Sequence, residues 1–244
     1  MHVKTRMRDP VTRTTHRTPA LTAHELLHRS AWYGQLDAGA RREVALAVQE
    51  RAVSAGSELS HHGGTASHWY GVLDGLVKWS IAARDGRAVT LGGFTTGSWF
   101  GEGSLLHGRP VAADIVAIRH SRVAMVPKEV FLWLHDTQLA FNHYLLDHMN
   151  ERLHWFMGDF AAHRLFSAEA QVARALYGLL HPELNPHKDP HLEISQEEIA
   201  NLAGLSRQRC NLALSHLKHD ALIDVGRGCI TVVDLERLSR VANG

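Results

Sequence analysis

The sequence predicts a mixed α+β chain, with short strands gathered in its first half and helices on either side of them. Two observations carry that prediction. Between roughly residues 59 and 126 apolar and polar residues alternate over short, turn-bounded runs, whereas before and after that block apolar residues recur at three- and four-residue spacing. A third observation sets the scale: 244 residues are long for one compact unit and ample for two, each with its own core. Charge is nearly balanced, 26 Lys and Arg against 25 Asp and Glu, so a nucleic-acid surface has to be a local patch. Cys210 and Cys229 are too few for a disulfide framework or a four-cysteine metal site, and they suit a reducing compartment. No run approaches the roughly 18 apolar residues of a membrane span, and no signal-peptide pattern opens the sequence; the expectation is a soluble, cytoplasmic protein with no membrane partner.

Residues 1–18 are basic and polar without apolar periodicity, which predicts a disordered tail. Residues 21–56 read as short helices, with Thr22, Ser30 and Asp37 as caps. From Ser57 the rhythm changes. In LVKWSIAA, Val77, Trp79 and Ile81 alternate with Lys78 and Ser80, predicting one buried and one wet face; AVTLGGF and DIVAIRHSRVAMV continue similarly, and Asp-Gly pairs at 74–75 and 85–86 mark turns. About eight short strands predict a β jelly roll or barrel, and the first domain spans residues 19–134.

From about 128 to 162 the period returns to 3.6, predicting a long helix. Leu139, Leu146, Met149, Leu153, Phe156 and Phe160 form a stripe that needs a partner along much of its length. Residues 135–163 are read as a dimerisation helix covered by a second copy, with burial inside the chain as the alternative. The second domain, residues 164–244, opens with a helix capped by Ser167 and a proline-rich loop, PELNPHKDP.

In ISQEEIANLAGLSRQRCNLALSHLKHDALI, Ser195 and Glu198 sit three apart, as a capping box requires, and open a short helix. Gly204 supplies a tight turn and Ser206 caps a second helix, whose Cys210, Ala213, Leu214 and Leu217 share a face that packs on Ile199 and Ala203. Arg207, Gln208, Asn211, Leu212 and Ser215 point the other way, with Arg209 at the edge. Arginine bonds guanine bidentately, glutamine and asparagine bond adenine, and an apolar side chain meets a thymine methyl. Two short strands follow, with Arg227 between glycines at their tip, a wing placed to touch phosphate. The pattern is that of a winged helix-turn-helix binding double-stranded DNA.

Together these parts resemble the Crp/Fnr family of bacterial transcription regulators over about residues 20–240. AGSEL (55–59), GSWFGEGSLLHGRP (97–110) and ISQEEIANLAGLSRQR (194–209) are similar to that family's first-strand glycine motif, its phosphate-binding cassette and its recognition unit, in the right order. The resemblance implies a non-enzymatic regulator acting as a homodimer on a pseudo-palindromic operator, with RNA polymerase as partner when it activates. It also puts Gly101 and Glu102 where cyclic-AMP-binding members hold the ribose and phosphate. The Arg-Ser pair of those members falls on Val111 and Ala112; the nearest arginine, Arg109, precedes Pro110 and needs a local shift to enter the pocket. Their hydroxylic long-helix positions are Phe156 and Met157 here. An unpaired buried phosphate costs several kcal/mol, so cyclic AMP is not the expected effector and the effector is left unassigned, with Trp155 or Phe156 as a wall for a flat apolar ligand.

Glu102 stays open between a ligand contact and a solvated turn carboxylate. No cofactor is expected: both cysteines lie in the DNA-binding part, away from any N-terminal iron–sulfur cluster, and 19 histidines single out no haem ligand. Cys210 reads as a core residue, with a redox switch as the alternative. The competing class is a cupin-type metal-dependent enzyme with an accessory helical domain, but the adjacent His61 and His62 would point to opposite faces of a strand, and His68 lies beyond a loop.

Overall fold

In the computed structural model the described residues are 20–83 and 88–244; the expected tail at 1–18 and the Asp-Gly turn at 85–86 lie outside them. Helices α1 (Ala23–Arg29), α2 (Ala31–Gly34) and α3 (Ala38–Ala47) lead. Thr22 and Glu25 exchange backbone and side-chain bonds in a complete capping box, and Asp37 accepts the Ala40 N–H at 2.8 Å. Ser30 opens α2 without capping it, its hydroxyl donating instead to the Leu26 carbonyl at 2.7 Å.

The helical reading fails at residues 49–53, which form strand β1 (Gln49–Val53). Only Val53 of that strand is buried, so its residues carry no alternation to read; five-residue antiparallel pairing with β8 (Ser121–Pro127) decides the conformation. Between them run β2 (Glu58–Ser60), β3 (His68–Asp74), β4 (Leu76–Ala82), β5 (Ala88–Thr95), β6 (Trp99–Phe100), helix α4 (Glu102–His107) and β7 (Asp114–Ala117). Two four-stranded antiparallel sheets, β1-β8-β3-β6 and β2-β7-β4-β5, pack into a jelly-roll sandwich around Val72, Val77, Phe94, Phe100, Ile115 and Val123. The Asp74–Gly75 turn carries the chain from one sheet to the other: Gly75 has φ 116°, and a Cβ there would lie 2.1 Å from Ser121 Oγ. Outside the first sheet, Trp32, Trp69, Trp99, Phe131 and Phe141 join it to the leading helices.

The long helix expected from about 128 is two helices, α5 (Lys128–Thr137) and α6 (Leu139–Leu165), so residues 135–137 close the first and do not open the second. Gln138 breaks the run with extended backbone, and its side chain donates to Asp37 at 3.0 Å. The bend lets Phe131 and Leu134 on one side of it, and Phe141 and Leu145 on the other, enter the same aromatic core. At 27 residues α6 is about 40 Å long.

The second half contains α7 (Ala168–Gly178), β9 (His191–Leu192), α8 (Gln196–Leu202), α9 (Arg207–His219), β10 (Ile223–Gly226), β11 (Cys229–Val232) and α10 (Leu235–Ala242), its strands ordered β10-β11-β9. Val172, Leu176, Ile199, Leu214, Ile230 and Leu238 build its core, and Leu76 of β4 packs into that core from the sandwich. The wet face expected for β4 is therefore partly covered. Lys78 reaches both Glu198 carboxylate oxygens at 2.9 Å, which leaves the Ser195–Glu198 capping box half formed: Ser195 still accepts the Glu198 N–H at 3.1 Å. Asn185, in the proline-rich loop, accepts from Thr95 N at 3.0 Å and from the Ser98 hydroxyl, and donates to the Gly93 and Gly178 carbonyls at 3.0 and 2.6 Å. That buried side chain stitches the two halves together.

Candidate functional sites

On α9 the local sequence sorts its side chains by period. Gly204 turns the chain at φ 62°, Ser206 accepts the Arg209 N–H at 3.4 Å, and Cys210, Ala213, Leu214 and Leu217 are buried against Ile199 and Ala203. Burial pushes the Cys210 thiol up to about 11, which keeps it protonated and unreactive at neutral pH. The opposite face carries Ser206, Arg207, Gln208, Arg209, Leu212 and Ser215, all exposed, with Asn211 half-buried among them. Leu212 is 58% exposed, although a leucine on a packed helix normally faces inward.

Arg207 and Arg209 form no ion pair with any described residue, and no carboxylate stands in the first turn. Cations at the positive end of a helix dipole cost helix stability, but they leave backbone N–H groups and guanidinium donors facing the same anion. Ser215 has already spent its proton on the Asn211 carbonyl at 2.9 Å, while Asn211 Oδ1 is shielded with no partner. Arg227 stands exposed between β10 and β11, beside Gly228 at φ 72°.

A second site lies between the sandwich and α6. A cavity of about 550 Å³ is lined by all six pocket residues named from the sequence: Gly101, Glu102, Arg109, Val111, Ala112 and Phe156. Arg109 and Ala112 are exposed where they border the cavity, so Arg109 stands at its mouth and not inside it. Gly101 has φ 101° and starts α4. Glu102 is no solvated turn carboxylate: it is 4% exposed, accepts Arg152 Nη1 at 2.7 Å and lies 3.3 Å from the Trp69 indole N–H.

Arg152 was missed by the sequence reading. From α6 it also donates to the Trp99 carbonyl and to His148 Nε2, both at 2.8 Å, and its guanidinium lies 5.1 Å from the Trp79 ring centroid. A signal existed: Arg152 falls four residues after His148 and four before Phe156, an arginine on the helix face that meets the sandwich. The same His148 Nε2 also lies 3.2 Å from the Trp99 carbonyl, and burial together with the nearby Arg152 charge holds its imidazole below the ordinary range. Phe156 lies parallel to Trp79, within 6° at 6.1 Å, making an aromatic wall. Trp155, the other expected wall, instead carries the Arg174 guanidinium 4.1 Å from its ring centroid.

The predicted stripe on α6 divides. Leu139, Leu146, Leu153 and Phe160 are each more than half exposed, while Met149 and Phe156 turn toward the cavity, which Leu153 also borders. Among the described residues no three His, Cys, Asp or Glu side chains gather as metal ligands would, and no helix is long and apolar enough to cross a membrane.

Comparison with known proteins adds independent findings. A family model for a cyclic nucleotide-binding domain matches residues 50–138, and one for a Crp-like helix-turn-helix domain matches residues 170–241. The chain is similar to the cyclic AMP receptor protein of Thermus thermophilus, 28% identical over 208 residues covering 84% of this chain and 94% of that one. It is also similar to the CRP-like cAMP-activated global transcriptional regulator of Mycobacterium tuberculosis, 25% identical with 89% and 99% covered. In fold it matches FixK2 from Bradyrhizobium japonicum at a TM-score of 0.68 and 18% identity, covering 80% of this chain and 96% of that one.

Proposed function

Because the chain belongs to the Crp/Fnr family of transcription regulators, we propose that it binds a pseudo-palindromic operator as a homodimer and does so without cyclic AMP. The outward face of α9 carries this reading. Arg207, Gln208 and Leu212 read base edges in the major groove, and Asn211, its Oδ1 shielded, joins them only if its side chain turns outward. Ser206, Arg209 and Ser215 fix the helix against the strand, and Arg227 touches the backbone from the wing. Leu139, Leu146, Leu153 and Phe160, seven residues apart and exposed, supply a seam for a second α6, which would present the two recognition helices about 34 Å apart. RNA polymerase is the partner if the protein activates.

Against cyclic AMP stands the chemistry of the cavity. Its one buried guanidinium, Arg152, is committed to Glu102, and Val111 and Ala112 offer a phosphate no charge or hydroxyl. Selection from a random duplex pool should return a two-fold symmetric site. On that site Arg207→Ala should lose about 1–3 kcal/mol of binding and relax preference at one base pair per half-site. Unchanged affinity and base preference would remove Arg207 from the reading interface. Added cyclic AMP should alter neither melting temperature nor duplex affinity, and a saturable rise in either would overturn the pocket argument.

A further inference from the structure

We infer that the cavity between the sandwich and α6 takes an aromatic monocarboxylic acid, its ring on the Trp79–Phe156 wall and its carboxylate on Arg109 at the mouth. The inference rests on the reading of this cavity as an effector site and goes further by naming the chemical class. At about 550 Å³ the cavity lies in the usual range for small ligands, roughly 300–1,000 Å³. Its walls are apolar: Ile81, Leu91, Ile115 and Met149 stand with the two parallel rings. A planar ring system gains most there, because it stacks where an aliphatic chain only touches.

Charge decides the rest. Glu102 and Arg152 neutralise each other at depth, and Arg152 also bonds the Trp99 carbonyl and His148, so the buried charge is balanced without a charged ligand group. Arg109 is different. It is exposed at the mouth, has no acidic partner among the described residues, and is the remaining fixed charge on the lining. One planar guanidinium matches one carboxylate bidentately, whereas a phosphate monoester dianion would keep a charge uncompensated and a cyclic nucleotide would bring polar sugar and base edges to an apolar wall.

The test is calorimetric titration of the full chain with 1-naphthylacetate, with its neutral amide and with cyclic AMP. The acid should bind at least about tenfold tighter than the amide, as a charge-assisted pair requires, and tighter than cyclic AMP. Arg109→Gln should erase the difference between acid and amide while leaving the unliganded melting temperature unchanged; Arg109→Lys should restore part of it. Equal affinity for acid and amide, discrimination that survives Arg109→Gln, tighter binding of cyclic AMP, or no heat from any probe would each overturn the assignment. Duplex binding measured on the same samples separates the two readings: its loss with acid binding intact strikes the regulator reading alone, and the reverse strikes this one alone.

Discussion

The pocket beside the sandwich and the outward face of α9 handle charge in opposite ways. Around the sandwich, large aromatics surround a charged pair: Arg152 and Glu102 are both under a tenth exposed, with Trp69 and Trp79 against them. In the helix-turn-helix half, leucine, isoleucine, valine, alanine and Cys210 fill the core, the buried Arg174 pairs with Asp159 of α6 at its border, and the outward side of α9 leaves its arginines to solvent. Charge turned inward fixes the position of α6 against the pocket. Charge turned outward on α9 stays hydrated and without an ion-pair partner among the described residues. The pocket thus spends its charged groups on internal geometry, and α9 leaves its own unspent.

The sharpest way to break this contrast is Arg152→Ala, which strands the Glu102 carboxylate in an apolar site. It should destabilise the protein by about 3–5 kcal/mol in denaturant unfolding, and the double variant Arg152→Met with Glu102→Gln should recover most of the loss. If the single variant cost under 1 kcal/mol, the buried pair would be only a surface-like contact. Asn185→Ala attacks the seam between the halves. It removes the Asn185 bonds to the Gly93 and Gly178 carbonyls and leaves the Thr95 N–H with the Ser98 hydroxyl alone, at a cost of about 1–3 kcal/mol, and calorimetry should then resolve two transitions in place of one.

A pH experiment probes the inward-facing half. An imidazole held below its ordinary value of about 6.5 in the fold binds a proton more readily in the unfolded chain. His148 therefore gives its full stabilisation above about pH 6.5, and that contribution erodes as the pH falls below this value toward the lowered value in the fold. His68, His181 and His187, also lowered by burial, act in the same direction. His148→Gln, whose amide can both accept from Arg152 and donate to the Trp99 carbonyl, should flatten the fall in melting temperature between pH 6.5 and 5; an unchanged slope would assign it to the other three histidines.

Two smaller effects test the outward charges. Arg227→Ala should weaken all duplexes alike and lower the salt dependence of binding by about one phosphate contact, whereas a change in base preference would make the wing a reader. Lys78→Met should cost no more than about 1 kcal/mol, since the Lys78–Glu198 pair is only partly buried. A larger loss would make that pair a true latch between the halves.

Legibility followed the same divide. The helix-turn-helix could be read because its signals lie within a few residues of one another: Gly204 for the turn, Ser206 for the cap, and a 3.6-residue alternation that sends Cys210 inward and Leu212 outward. The α6 stripe could be read for that reason too, whereas the alternation expected on β4 was not met, since Leu76 is buried against the other half and Ile81 is exposed. What sequence could not rank was Glu102, because its burial depends on Arg152, fifty residues away, and on Trp69, thirty-three residues away.

By itself, then, the order of residues determined the class of fold, the succession of its parts and the face that α9 offers to DNA, since backbone periodicity is a short-range property. Tertiary structure alone decided that residues 49–53 pair as a strand, that Gln138 bends the helical run, and that Lys78 and Asn185 join the halves. Each of these outcomes needs groups far apart in the chain to meet. Their energies come from desolvation and complementary bonding that exist only once both sides are in place.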